Sequence, residues 1–181
     1  MASGRRTGQL HGHRLSVPQT TYFVTCCTFG RRTGLSREPV APQLRSQVID
    51  CDAAQDTATL GFTIMPDHLH WVFRLEHRLS LGRIVARLKA RTNAGLAAAG
   101  LEWQRDFFEH RLEPREDLEA YALYVYLNPY RARLVSADGT WPWWWTAAPG
   151  LLRFPVHLNS NGSPPAKWIG EPVPAWVCHG E

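Results

Sequence analysis

The sequence predicts an α+β fold: a ferredoxin-like four-stranded antiparallel sheet, two helices on one face, and an extra C-terminal tyrosine-bearing helix. Three observations predict it. Residues 60–75 hold two apolar runs separated by Pro66-Asp67, the pattern of a tight hairpin. Segments of strand and helix character follow in the order strand, helix, strand, strand, helix, strand. A further helical stretch, 115–128, comes after that pattern is complete, and its open packing site is beside the hairpin strands.

Each element has its own warrant. Thr21 to Phe29 is rich in β-branched and aromatic residues and reads as the first strand. Gly30-Arg31-Arg32-Thr33-Gly34 is a loop whose paired arginines either meet phosphates or are simply solvated. Pro42 to Ala54 places Leu44, Val48 and Cys51 at helical spacing, with Pro42 in the first turn. Leu60 to Met65 is a continuous apolar run, a buried strand. Past the turn, Leu69, Trp71, Phe73 and Leu75 alternate with His68, His70, Val72 and Arg74, one set on each face. Ser80 is an N-cap, and Leu81, Ile84, Val85 and Leu88 form the apolar stripe of a second helix ending by Gly95 or Gly100. Arg83, Arg87 and Arg91 repeat at four-residue spacing on another face of that helix, with Lys89 nearby. Trp103 to Leu112 is the fourth strand. Pro114 opens the last helix, with Glu113, Glu116 and Asp117 at its positive end. Pro129 predicts that this helix ends or kinks near Asn128.

The chain divides into a Gly-rich basic arm (1–20), a folded domain (21–135) and a tail (136–181). Seven of the 13 prolines lie in 142–181, and Trp141, Trp143, Trp144 and Trp145 begin it. The tail is expected to wrap the body with its tryptophans inserted; a stacking platform for unpaired bases is the other reading. Apolar content of 44% and charged content of 20% exclude disorder. Residues 1–100 carry 13 Lys+Arg against 6 Asp+Glu, and the remainder 7 against 10. A basic first half suits a polyanion, as it also suits ordinary surface charge. Cys26, Cys27, Cys51 and Cys178 have no C-x-x-C spacing and read as reduced thiols of a cytoplasmic protein. No apolar run reaches membrane-spanning length, so no membrane partner is expected.

Two residue groups carry chemistry. His68 and His70, one residue apart on a strand, project from one face and can share an ion. Imidazole suits several divalent metals, and two ligands leave positions open for substrate. The plain alternative is a pair of half-exposed strand histidines. Asp67 points away from them if the strand has already begun. His11-Gly12-His13 has no strand to fix its rings. On the last helix, Tyr124 and Asn128 are one turn apart on one face, a rise of about 6 Å, whereas Tyr121 is about 10 Å along the axis from Asn128. Tyr124 is therefore the better partner for Asn128, unless these tyrosines only pack on the sheet.

Met65-Pro66-Asp67-His68-Leu69-His70 resembles the MP-[ND]-H-hydrophobic-H signature of single-tyrosine HUH transposases. Tyr124 to Val135 resembles their Y-I-x-x-N-P-V-R-A-G-L-V block, with Tyr130 where valine is usual and Arg133 where glycine is usual. The likeness runs from about Thr21 to Trp145 and is nearest to the REP-associated tyrosine transposases of bacteria. It implies Tyr124 as nucleophile and His68, His70 and Asn128 as ligands of Mg²⁺ or Mn²⁺. It implies single-stranded DNA beside a hairpin as partner, with Arg31, Arg32, Arg83, Arg87, Lys89 and Arg91 as candidate phosphate contacts. Because a 5′-phosphotyrosine keeps the phosphodiester energy, no nucleotide cofactor is expected. The protein is expected as monomer or homodimer, at the nucleoid when bound to DNA. Three rivals remain: a single-strand nucleic-acid-binding module, a metal hydrolase using water, and a domesticated relative that binds DNA without moving it.

Overall fold

The computed structural model describes residues 16–172. Most of the expected arm, with Arg5, Arg6, Arg14, His11 and His13, lies outside the described residues, as does Cys178.

The sheet contains β1 (Thr21–Cys27), β2 (Thr57–Ile64), β3 (His68–Leu75), β4 (Phe108–Arg111) and β5 (Trp144–Trp145). Their order is β4-β1-β3-β2-β5, and every pairing is antiparallel. The first four strands have the expected arrangement. The fifth corrects the strand count: the tail adds Trp144-Trp145 outside β2. The Trp143 carbonyl accepts from the Ile64 amide, and Trp141 Nε1 donates to the Ile64 carbonyl, so the tail closes an edge that would otherwise present unpaired backbone. Strand β4 is shorter than predicted. Trp103 makes only an isolated bridge with Thr28, while its indole donates to Thr92.

Helices α1 (Val40–Ala53) and α2 (Leu81–Ala98) cover one face. There Leu44, Val48, Ile84 and Leu88 meet Val24, Leu69, Trp71 and Phe73 in one buried cluster. The Ser80 hydroxyl caps α2 as expected, accepting from the Arg83 amide. Helix α3 (Leu118–Arg131) lies on the other face, where Tyr121, Tyr124 and Val125 pack with Phe23, Leu60 and Val72. The period-two alternation of β3 thus separates a purely apolar face from the face that carries both histidines. The tail then covers the outer side of α3, with Leu152, Phe154 and Trp168 against Tyr126, Leu127 and Tyr130. Trp141, Trp143, Trp144, Trp145 and Trp168 are half-buried.

The close approach of α3 depends on Gly61. A Cβ there would stand 3.1 Å from a Trp144 ring carbon and 3.6 Å from the Ala122 Cα. The position also sits at a register shift in the β2–β3 ladder. Gly61→Val is expected to destabilise the protein by about 2 kcal/mol through overpacking, read as a lower urea midpoint.

Helix α3 starts later and runs further than expected. Asp117 caps it by accepting from the Glu119 amide. The helix continues through Pro129 to Arg131, because the proline sits in the last turn, where one backbone bond is lost and the buried ring is retained. Termination follows at once. The Arg133 amide donates to the Tyr130 carbonyl and the Leu134 amide to that of Pro129, with Arg133 at φ +57°. This is a Schellman stop with arginine in the left-handed position that favours glycine. Arg133→Gly is expected to stabilise the fold by about 0.5–1 kcal/mol, measurable as a raised urea midpoint at unchanged slope.

Candidate active site

The Pro66-Asp67 turn and the loop after β1 are tied together. The Thr28 amide donates to the Asp67 carbonyl, and the amides of Gly34 and Leu35 donate to that of Pro66. This fixes the start of β3, where Cys27 opposes His68 and Thr25 opposes His70 across the β1–β3 ladder.

The two histidines meet through their outer nitrogens, His68 Nε2 and His70 Nε2 being 3.1 Å apart. Each ring is held from behind. His68 Nδ1 bonds the Asp67 carboxylate at 2.7 Å, and His70 Nδ1 bonds the Thr25 hydroxyl at 2.9 Å. A carboxylate only accepts, so Nδ1 of His68 donates to Asp67, and Nε2 is the ring atom turned toward His70. Asp67 is therefore oriented toward the histidines, not away from them: the strand begins at His68, and Asp67 still belongs to the turn. Its carboxyl sits below the usual carboxylate range, mainly through the His68 hydrogen bond. His70 is held well below the ordinary imidazole value by burial, then by His68 and Arg31. It is thus neutral, the form that binds metals.

Asn128 reaches the same point from α3, its Nδ2 lying 3.2 Å from His70 Nε2. A half-turn of the amide puts Oδ1 there instead. Among the described residues no group of three His, Cys, Asp or Glu side chains is placed to hold a metal. The donor set is two imidazoles and one amide. Its chemistry fits a divalent ion: the two Nε2 atoms meet at 3.1 Å, and the Asn128 amide reaches the same point.

Tyr124 stands beside this group. Its ring lies edge-on to His70 at 5.5 Å and to Phe23 at 6.1 Å, and Phe23 stacks on His70 at 5.4 Å. Tyr121 is committed elsewhere: its hydroxyl donates to Glu116 at 2.6 Å and its ring stacks on His110. Burial, then Glu116, pushes its phenol up. A cleft of about 90 Å³ opens beside Tyr124, lined by Ala120, Leu123, Arg131, Glu171 and Pro172. Arg131 is coupled electrostatically to Tyr124 and Glu171, which partly offsets the lowering of its pKa by burial.

The basic residues divide. Arg31 is at the site, 3.4 Å from the Asp67 carboxylate, and Arg32 is exposed on the same loop. The residues of α2, also named as candidate phosphate contacts, belong to the helix layer on the opposite face of the sheet from the histidines. Arg87 is bound to buried Asp56 at 2.7 Å, and Arg91 donates to Gln47 of α1. Lys89 Nζ donates to the carbonyls of Gln104, Arg105 and Asp106. Arg83 is exposed on that outer layer. Sequence reasoning missed Thr25 and Arg131. The register that places Thr25 opposite His70 is not readable from one strand, whereas Arg131 lay within the matched block.

The site thus sets two strand histidines against an asparagine and a tyrosine of one helix. Residues 16–113, more than half of the chain, match the family model described as "Transposase IS200 like", and the chain belongs to that family. A Haemophilus influenzae protein assigned to the REP-associated tyrosine transposases is 28% identical over 100 residues. That match covers 47% of this chain and 56% of the relative, so the chain spans about half the length of the curated protein it matches. The solved structure of a REP-associated tyrosine transposase bound to a REP hairpin superposes with a TM-score of 0.68 at 20% identity, covering 100% of this chain and 98% of that one. At this identity the likeness shows a shared fold. Among the described residues no helix is long and apolar enough to cross a membrane.

Proposed function

We propose that this protein nicks and rejoins single-stranded DNA beside hairpins, with Tyr124 as nucleophile. The observation that carries the reading is the convergence of His68, His70 and Asn128 beside the Tyr124 ring, from a hairpin and a helix far apart in sequence. Partly independent support comes from membership of a transposase family.

The Tyr124 oxygen attacks phosphorus, and the bond from phosphorus to the 3′-oxygen breaks. The phenolic proton is lost to solvent, the leaving oxygen gains one, and the products are a 5′-phosphotyrosine and a free 3′-OH. Attack by a second 3′-OH reverses the sequence and joins strands without a nucleotide cofactor. His68, His70 and Asn128 would hold Mg²⁺ or Mn²⁺, which polarises the phosphate oxygens when bound. The chain supplies the rest. Asp67 and Thr25 orient the imidazoles, Phe23 holds His70 and Tyr124 at fixed separation, and the Arg131 cation favours the phenolate. Arg31 and Arg32 face the incoming phosphates.

A denaturing gel tests this. End-labelled single-stranded hairpin DNA with Mn²⁺ is expected to give a DNA-linked protein band and a free 3′-OH fragment. Cleavage to a free 5′-phosphate without any linked band contradicts the proposal and favours water as nucleophile. Binding without cleavage favours a domesticated DNA-binding protein.

A further inference from the structure

One Phe, Tyr or Trp side chain among the described residues is exposed. Phe29 is 63% accessible, whereas every other Phe, Tyr and Trp there is buried or half-buried. Burial normally claims such a side chain, and Phe29 belongs to none of the apolar clusters among the described residues.

Its surroundings point to a ligand. Phe29 lies two residues beyond Cys27, the residue opposite His68 in the sheet. Its backbone is fixed on both sides: the Phe29 amide donates to the Glu102 carbonyl, and the neighbouring Thr28 amide donates to the Asp67 carbonyl. The next residues are held in a left-handed turn, Gly30 at φ +63° and Arg31 at φ +55°. For arginine that conformation is strained. It is kept by the Arg31 amide bond to the Thr28 carbonyl and by the Thr28 hydroxyl on the Arg32 carbonyl. The result places the Arg31 guanidinium at Asp67, beside His68. A second exposed cation, Arg105, is on the adjoining loop, whose Gln104 amide donates to the Cys27 carbonyl. An exposed ring on a loop pinned by backbone hydrogen bonds, with arginines on the same and the adjoining loop beside the candidate site, is the composition of a single-strand stacking platform.

We propose that Phe29 stacks on an unpaired base next to the scissile phosphate, with Arg31 on the adjoining backbone, and so selects single-stranded over paired DNA at the site. The inference rests on the reading of Tyr124 as a DNA nucleophile and adds the subsite that seats the strand. The substrate class is an unpaired nucleotide of any sequence, because every base offers a π-face.

The test compares wild type with Phe29→Ala and Phe29→Trp. The probes are a blunt hairpin oligonucleotide and the same hairpin with an eight-nucleotide single-stranded extension carrying 2-aminopurine at successive positions. Phe29→Ala is expected to weaken binding of the extended hairpin by about 5- to 100-fold and to abolish a fluorescence change seen at one position. Phe29→Trp restores both, blunt-hairpin binding is unchanged, and the thermal midpoints agree. Equal affinity of wild type and Phe29→Ala for the extended hairpin overturns the proposal, as does equal weakening toward both probes. Unchanged DNA binding with a shifted sedimentation coefficient overturns it in favour of a contact between copies. Wild type that binds neither probe instead overturns the DNA-nicking reading itself.

Discussion

Tyr124→Phe is expected to abolish the protein–DNA adduct and to lower strand cleavage by at least about 10³-fold, while hairpin DNA is still bound. The substitution removes one oxygen and keeps the ring that packs against Phe23 and His70, so the site keeps its shape. Tyr121→Phe is the informative control. Its hydroxyl is spent on Glu116, and losing a bond to a carboxylate costs about 1–2 kcal/mol. That variant is therefore expected to lower the urea midpoint and to leave the adduct yield near wild type. The two tyrosines lie within one turn of a single helix, yet one change should remove chemistry and the other stability. Gel yield and denaturation midpoint, measured on both variants, separate them.

His68→Ala is expected to remove metal binding and with it cleavage, by about 10²-fold or more. Of the two imidazoles it is the better choice for substitution. His70 is 2% exposed, stacked on Phe23 and bonded to Thr25, so its loss also disturbs packing. His68 stands at the end of the strand, and its second bond goes to the adjacent Asp67. Titration of Mn²⁺ followed by electron paramagnetic resonance reads occupancy without DNA. Wild type is expected to take up one ion and His68→Ala none. Asp67→Asn, which keeps the ligands but weakens the group that fixes the His68 tautomer, is expected to lose about 10- to 100-fold in affinity. Unchanged Mn²⁺ uptake in His68→Ala would remove His68 from the ligand set.

The parts of this structure written in local pattern were legible in the sequence. The alternation of residues 68–75 gave the face of both histidines, because strand geometry allows only two. Helical spacing paired Tyr124 with Asn128 over Tyr121 for the same kind of reason. What local pattern does not encode is pairing at a distance. Trp144-Trp145 reads as packing material, and only the open edge of β2 makes it a strand. The stripe Arg83, Arg87, Arg91 is regular, but the sheet face that α2 covers decides that Arg87 neutralises Asp56. Pro129 obeys a helix-breaking rule that burial of its ring in the last turn overrides. Asp67 depended on a single residue of strand onset, which a turn residue adjoining a strand leaves open by one position either way.

The central claim concerns one oxygen atom, and mass spectrometry of the trapped adduct tests it most directly. Wild type reacted with hairpin DNA and Mn²⁺ would be digested with nuclease and trypsin, and the peptide spanning 116–131, which contains Tyr121, Tyr124, Tyr126 and Tyr130, would be fragmented. A nucleotide remnant on Tyr124 is the expected result. A remnant on any other tyrosine, or cleaved DNA with no modified peptide, would contradict the account.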